Sequence, residues 1–131
     1  MNSWWRKLFG NRGERAAARF LRKNGFQILS RQWLTRWGEF DLIAREQETI
    51  VFVEVKTRRS ARNQHPAEAV DRHKQRRMTQ QALVYLKKHR RLESRARFDV
   101  IAVTWPEHAR TPRIEHIRNA FEPVGDGQFY S

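Results

Sequence analysis

The stretch that decides the fold is GEFDLIAREQETIVFVEVKTR, residues 38–58. It contains two mainly apolar segments, Gly38–Arg45 and Thr49–Thr57, with only the polar residues Glu46–Glu48 between them. A connection of that length accommodates a turn and no other element. The two segments are therefore predicted to be neighbouring strands of an antiparallel hairpin.

The second strand of this hairpin carries charged residues on a face that should be buried. Because side chains alternate along a strand, Val51–Lys56 directs its valines to one face and Phe52, Glu54 and Lys56 to the other. A buried carboxylate or ammonium without a partner is strongly destabilising. Either Glu54 and Lys56 neutralise each other in a structural salt bridge, or the carboxylate binds a metal ion and the amine serves catalysis.

The segments downstream of the hairpin indicate a crossover connection. Pro66 suits the first turn of a long helix that runs to about Arg90, and Phe98–Thr104 has the apolar, β-branched character of a buried strand. A strand, a helix and another strand in this order place the third and fourth strands parallel in one sheet. Pro106–Pro112 is predicted to be a loop and Arg113–Ile117 an edge strand.

Upstream of the hairpin, the sequence predicts a helix and an extended segment. Asn11 and Glu14 have the spacing of a capping box, which would start a helix from about Arg12 to Asn24. Phe26–Leu34 is predicted to be extended. The fold class is therefore α/β, with a mixed sheet, an antiparallel hairpin, a crossover helix and flanking helices.

The length and composition indicate one domain in a reducing compartment. Residues 11–121 are predicted to form the domain, between a flexible amphipathic start (1–10) and a flexible tail (122–131). No apolar run reaches the roughly 18 residues that cross a bilayer, and the first residues do not form a signal peptide. The absence of cysteine excludes disulfides, thiolate metal sites and a thiol nucleophile. This combination is typical of a cytoplasmic protein.

The charge of the chain predicts a polyanionic partner. The 27 Lys and Arg residues exceed the 14 Asp and Glu residues by 13, and the pI is about 11.4. So much positive charge repels itself unless an anionic surface offsets it. Nucleic acid is the first candidate, and a membrane surface is the second.

Asp41, on the first strand of the hairpin, supplies a second carboxylate near Glu54 once the hairpin folds. Carboxylates and a backbone carbonyl form the hard oxygen set that Mg²⁺ or Mn²⁺ prefers. Such an ion lowers the pKa of an attacking water, and Lys56 would orient that water or offset charge on the phosphoryl oxygens. The chemistry that fits is phosphodiester hydrolysis. The histidines match no zinc spacing, and no small-molecule cofactor is expected.

Asp41, followed one hairpin later by Glu54-Val55-Lys56, resembles the core of the PD-(D/E)xK nucleases. The strings GEFDLIA and VFVEVKTR resemble the YraN family of small bacterial proteins. Gly13-Glu14, the helix with Lys74-Gln75, and the strand Arg97–Val100 extend that resemblance over roughly residues 11–121. YraN proteins are similar to archaeal Holliday-junction resolvases, which implies a restriction-endonuclease-like fold and Mg²⁺-dependent cleavage of branched or other structured DNA.

The resemblance also implies roles for single residues. Asp41 and Glu54 would be metal ligands, the Val55 carbonyl a further ligand, Lys56 the catalytic amine and Glu14 an accessory catalytic acid. Glu14 has a structural alternative as the capping-box residue. Resolvases act as homodimers because a four-way junction has two symmetric scissile sites, although no pattern in this sequence marks an interface.

Basic and aromatic residues around the proposed site have two interpretations each. One group of arginines lies just beyond the second strand of the hairpin, and a second group of cations lies on the long helix. Each group either contacts phosphate or forms a solvated face. The predicted DNA contacts are Arg58, Arg59, Lys74 and Arg77. Glu39 is a fourth acid or a solvated one, and Gln75 touches the site or is exposed. Trp33 and Trp37 either stack on unpaired bases or pack under the sheet.

Three functions remain open on the sequence alone. The first is a DNA endonuclease that uses Mg²⁺ or Mn²⁺. The second is a non-catalytic nucleic-acid-binding protein whose acidic pocket is a vestigial site or an ion-pair core. The third, the weakest, is a membrane-surface adaptor held by its amphipathic start.

Overall fold

The computed structural model describes residues 3–60, 65 and 70–124, which form two helices and five strands. In chain order, the elements are α1 Ser3–Lys23, β1 Gln27–Thr35, β2 Gly38–Glu46, β3 Thr49–Arg58, α2 Arg72–Lys88, β4 Arg95–Thr104 and β5 Arg113–Phe121. The fold is α/β, as predicted, and is consistent with a restriction-endonuclease-like fold. None of the helices within the described ranges is long and apolar enough to span a membrane.

The strands form one mixed sheet in the order β1-β2-β3-β4-β5. Neighbouring strands are antiparallel except for β3 and β4, which run parallel in register from Thr49 opposite Arg95 to Arg58 opposite Thr104. The β2–β3 hairpin and the crossover through α2 are therefore confirmed. A parallel pair in the middle of the sheet leaves the ends of β3 and β4 on the same side, where a site can form.

A helix covers each face of the sheet, and the alternation predicted for β3 is confirmed. Phe52 packs in the cluster under α2, with Tyr85 and Leu86 of that helix. Val51 and Val53 pack in the other cluster, with Leu21 of α1. Because both faces of β3 are covered, the charged residues at its end lie close to low-dielectric surroundings.

Helix α1 begins at Ser3, well before the predicted start at Arg12. Asn11 and Glu14 are therefore internal to the helix, and the capping-box interpretation is wrong. The segment predicted to be a flexible start continues the helix from residue 3 onwards. The end was better predicted, because Gly25 adopts a φ of 90° and Phe26 N–H donates to the Leu21 carbonyl at 3.0 Å, as in a Schellman motif.

Helix α2 begins at Arg72 rather than in the region of Pro66. Asp71 caps it, with an extended backbone and a carboxylate that accepts from Lys74 N–H at 2.8 Å. Residues 66–69, where the earlier start was predicted, lie outside the described residues. The cap fixes the first turn of the helix, which carries Lys74.

The last strand is longer than predicted and is followed by a packed segment. β5 runs to Phe121 instead of ending at Ile117. Val124 is buried, and its N–H donates to Thr79 Oγ1 at 3.0 Å. The start of the predicted flexible tail is thus part of the core, while residues 125–131 lie outside the described residues.

Candidate active site

The site forms where the pairing of β2 and β3 stops. The last pair in the register is Leu42 opposite Val53. Two residues further along β3, the N–H of Val55 donates to Asp41 Oδ2 at 2.8 Å. The partner of this N–H is therefore a side chain of β2 and not a backbone carbonyl. Asp41 is therefore held at the open end of the hairpin. The N–H of Val55 is the group seen in this contact, and the metal role of its carbonyl stays a prediction.

Glu54 is nearly buried, with 7% of its surface exposed, and two lysines neutralise it. Lys74 Nζ lies 2.7 Å from Glu54 Oε1, and Lys56 Nζ lies 3.7 Å from the same atom. Lys74 was predicted as a DNA contact, and that role stays a prediction, while its hydrogen bond with Glu54 makes it part of the site. This contact could not be predicted from the sequence because twenty positions separate Lys74 and Glu54.

The two lysines have different electrostatic surroundings. Burial lowers the pKa of Lys56, and the charge of Glu54 offsets that effect only in part. Burial would also lower the pKa of Lys74, but the contact with Glu54 outweighs it and raises the pKa. Lys74 is thus fixed as a cation, whereas Lys56 is the amine that gives up its proton more readily.

Asp41 lies in a crowded group of carboxylates. Burial, followed by the charge of Glu54, raises the pKa of Asp41 to about 7, and Glu14 adds to the increase. Its hydrogen bond from Val55 acts in the opposite direction. A carboxyl held this close to other carboxylates is stabilised by an added cation.

Glu14 reaches the site from α1 and is 5% exposed. Burial raises its pKa, although Gln32 and Arg31 lower it. Gln32 Nε2 donates to Glu14 Oε2 at 3.4 Å, and Arg31 Nε lies 3.4 Å from Oε1. Oε1 accepts no hydrogen bond within the described part of the chain. The accessory acid predicted from the helix is therefore next to the other carboxylates.

Gly13 is required for α1 to approach the site this closely. A Cβ at this position would lie 2.0 Å from Thr57 Oγ1 and 2.9 Å from Thr57 Cγ2. The backbone of α1 therefore rests directly on the end of β3. This contact sets the distance between Glu14 and the β3 residues of the site.

Arg31 and Gln32, which hold Glu14, were not predicted from the sequence. Gln32 has a φ of 54°, an uncommon value for a residue other than glycine, and lies in β1 between the paired residues Arg31 and Trp33. This irregularity turns its side chain towards α1, where its amide also donates to Asn11 Oδ1 at 2.8 Å. A strand irregularity of this kind leaves no signal in a single sequence.

Other predicted positions lie around the site with different outcomes. Glu39 is exposed, and the Gln75 amide donates to the Val70 carbonyl at 2.9 Å. Arg58 donates to Thr104 Oγ1 at 3.1 Å, while Arg59 and Arg77 are exposed. The role of these three arginines in DNA contact stays a prediction.

The donor chemistry of the site suits a hard divalent cation. Asp41, Glu54 and Glu14 offer carboxylate oxygens, and crowding destabilises the charge on Asp41. The Lys74 ammonium competes for Glu54, and no group of three or more His, Cys, Asp or Glu residues arranged to hold a metal ion occurs within residues 3–60, 65 and 70–124. The residues therefore fit a cation held by few protein ligands better than a closed cage.

Sequence comparisons identify relatives along most of the chain. Residues 13–103 match the family model described as "Uncharacterised protein family UPF0102". A UPF0102 protein of Rhodopirellula baltica is 48% identical over 124 residues, covering 92% of this chain and 74% of the relative. A UPF0102 protein of Geobacter metallireducens is 47% identical over 116 residues, covering 88% and 93%. One of Rhodococcus opacus is 49% identical over 112 residues, covering 86% and 94%.

Proposed function

The chain belongs to the UPF0102 family, which is the YraN family that its sequence resembles, and we propose that it is a metal-dependent endonuclease that hydrolyses phosphodiester bonds in DNA. The observation that carries the proposal is the crowding of Asp41 and Glu54 at the open end of a hairpin, with Lys56 and Lys74 beside them. Acids and amines in this arrangement serve hydrolysis of a phosphate ester.

Asp41 and Glu54 would hold the divalent cation, with Glu14 as an accessory acid. When bound, Mg²⁺ or Mn²⁺ supplies Lewis acidity at the phosphate and lowers the pKa of a water. Binding of the cation would weaken the contact between Lys74 and Glu54, which are now 2.7 Å apart. The released ammonium of Lys74 would then be available to a phosphate oxygen.

Lys56 is the residue we assign to the attacking water. Its Nζ lies 3.7 Å from Glu54 Oε1, and burial lowers the pKa of its ammonium. An amine with a lowered pKa is unprotonated in a larger fraction of molecules near neutral pH than an exposed lysine is, so it is more often available to accept a proton. Lys56 would therefore orient the water and take up or share its proton.

The test of this function is metal binding and cleavage by matched variants. Asp41→Asn and Glu54→Gln should each reduce Mg²⁺ and Mn²⁺ binding in calorimetric titration. Both should also lower cleavage of labelled flapped, branched and linear DNA by at least about a hundredfold. Glu48→Gln, an exposed acid in the β2–β3 turn, is the control for loss of one negative charge. Unchanged metal binding by Glu54→Gln, or absence of cleavage by the wild type on every substrate, would sink the proposal.

A second candidate is a nucleic-acid-binding protein whose acids form an ion-pair core. It is favoured by the 2.7 Å contact between Lys74 and Glu54, which already neutralises a nearly buried carboxylate without a metal ion. In that case Glu54→Gln would lower thermal stability and leave DNA binding unchanged in EDTA and in Mg²⁺. Calorimetry and thermal unfolding on the same preparation distinguish the two candidates.

A further inference from the structure

The hairpin tip, Leu34–Gly38, joins β1 to β2 and presents apolar surface to solvent. Leu34 is 71% exposed and Trp37 is 38% exposed. Among the described residues, the other exposed large hydrophobic side chains are Val84 on α2 and Leu92 after it, at 40% and 45%. The tip therefore carries two of these four exposed side chains within four residues of the chain, and exposed apolar surface that is concentrated in one place is typical of an interaction site.

The two tryptophans named from the sequence differ in environment. Trp33 packs against the core, with its ring perpendicular to that of Tyr85 and the centroids 5.2 Å apart. Trp37 is on the tip, with the Arg36 guanidinium 4.9 Å from its ring centroid. Packing against the core therefore accounts for Trp33, whereas Trp37 is not among the described residues that pack on either core cluster.

The tip is held in one conformation. Thr35 Oγ1 accepts from Trp37 N–H at 3.1 Å and donates to the Gly38 carbonyl at 3.3 Å. A Cβ on Gly38, whose φ is 131°, would lie 3.5 Å from Gln81 Nε2 of α2, so the turn also rests beside the helix. A surface that is already ordered loses little conformational entropy when it binds a partner.

The tip continues into the candidate site. Asp41 follows Gly38 by three residues on β2, which is about 10 Å along a strand. Leu34 pairs with Glu39. Burial is the main cause of the raised pKa of Glu14, and the charge of Glu39 adds to it, while Gln32 and Arg31 act in the opposite direction. A nucleic-acid strand at the roughly 3.4 Å spacing of stacked bases spans this distance in about three nucleotides.

We propose that the hairpin tip is a binding site for an unpaired nucleobase, which stacks on Trp37 and Leu34 while the following phosphates pass towards Asp41. This inference rests on the proposed function, because it names the form of DNA that the site would take. Duplex backbones offer only sugar and charge on their outer surface, whereas unpaired bases expose flat apolar faces. The net charge of +13 and the guanidinium of Arg36 beside the ring match the phosphates of the same strand.

Binding in EDTA tests the tip without any contribution from cleavage. We expect Trp37→Ala and Leu34→Ala to weaken binding to single-stranded and flapped DNA by about fivefold to a hundredfold. Binding to blunt duplex of the same length should change less than about twofold. Val84→Ala and Leu92→Ala, which remove exposed apolar side chains elsewhere, are matched controls and should bind all substrates like the wild type.

Trp37→Phe keeps an aromatic face and guards against a folding artefact. It should retain most of the affinity for unpaired DNA and should quench a 2-aminopurine placed at the unpaired position, whereas Trp37→Ala should not quench it. Equal losses on duplex and single strand, or no loss with Trp37→Ala, would overturn the proposal. Loss of binding to phosphatidylserine vesicles without loss of DNA binding would overturn it in favour of a membrane contact.

The same panel separates this inference from the proposed nuclease. A wild type that binds unpaired DNA through the tip but cleaves nothing in Mn²⁺ contradicts the nuclease and supports the tip. A wild type that cleaves DNA while Trp37→Ala binds and cleaves equally well supports the nuclease and overturns the tip.

Discussion

At the scale of single residues, we expect the two lysines that neutralise Glu54 to have different roles, Lys74 in stability and Lys56 in catalysis. Lys74 makes the short contact, at 2.7 Å, and Lys56 lies 3.7 Å from the same oxygen. Lys56→Met should therefore leave Glu54 paired and change the melting temperature little, while DNA cleavage drops by about two orders of magnitude or more. Single-turnover cleavage and thermal unfolding measure the two effects. A Lys56→Met protein that cleaves at the wild-type rate removes this residue from the mechanism.

Lys74→Met, unlike Lys56→Met, should lower the free energy of unfolding. It removes the close partner of a carboxylate that is 7% exposed, which costs about 1–3 kcal/mol of unfolding free energy. Chemical denaturation should rank wild type above Lys74→Met, with Lys56→Met close to the wild type. The reverse ranking would mean that Lys56 is the structural partner of Glu54.

Gly13 is a second residue whose role is set by contact. A methyl group at this position would lie 2.0 Å from Thr57 Oγ1, so either the Thr57 side chain or α1 must shift in Gly13→Ala. Although alanine favours a helix, we expect a loss of about 1–3 kcal/mol in denaturant unfolding because the clash dominates. Thr57→Ala in the same chain should restore part of it. Arg19→Ala, at an exposed α1 position, is the control and should change stability by less than about 0.5 kcal/mol.

At the scale of elements, the start of α2 positions Lys74. The Asp71 carboxylate accepts from Lys74 N–H at 2.8 Å, which fixes the first turn. Asp71→Ala should destabilise the protein by about 1 kcal/mol, and Asp71→Asn by much less, because asparagine also caps helices. Guanidinium denaturation compares them. If the two variants are equally stable, the cap does not hold the helix start.

Strand β4 carries another buried acid, on the face opposite Glu54. Asp99 is fully buried and accepts from His116 Nε2 at 2.7 Å, from Arg97 Nε at 2.9 Å and from the Asn119 N–H at 3.0 Å. Burial alone would raise its pKa, but these hydrogen bonds outweigh burial and lower the pKa below the ordinary value of 3.8. This network is structural, because it touches none of the site residues.

The sign of this shift predicts an acid-sensitive contribution to stability. A carboxyl whose folded-state pKa is depressed stabilises the fold above the unfolded pKa of about 3.9, and loses that stabilisation as pH falls through the folded value. Asp99→Asn should therefore be less stable at pH 7 and lose less further stability below pH 4 than the wild type. Melting temperatures from pH 2 to 8 test this, with the exposed Glu107→Gln as the control. Parallel pH profiles for wild type and Asp99→Asn would contradict it.

At the scale of the whole molecule, the excess of positive charge should make DNA binding strongly dependent on salt. Each phosphate contact adds a slope of about 0.9 log units per decade of salt for duplex DNA. Neutralising Arg58, Arg59 and Arg77 to glutamine should lower that slope by up to about 2.7 if each makes a contact. Lys87, Lys88 and Arg91, neutralised together, remove the same charge from the other end of α2 and are the matched control. Equal slopes for the two triple variants would show that net charge, rather than position, sets the affinity.

The sequence by itself determined the features that depend on local pattern. The short polar stretch Glu46–Glu48 specifies the β2–β3 hairpin. The strand period of two places Glu54 and Lys56 on one face of β3. A crossover through α2 makes β3 and β4 parallel. These rules involve residues near one another in the chain. The proximity of Asp41 to Glu54 followed directly from them.

The tertiary structure alone decided which distant residues complete the site. The contact of Lys74 with Glu54, the hold of Arg31 and Gln32 on Glu14, and the seating of Gly13 on Thr57 each join separate elements. The exposure of Trp37 and the packing of Trp33 are likewise set by neighbours. Such contacts depend on how the helices pack on the sheet. Neither the side-chain period nor the propensity of a segment encodes the distance between a helix and the sheet, so these contacts cannot be predicted from a single sequence.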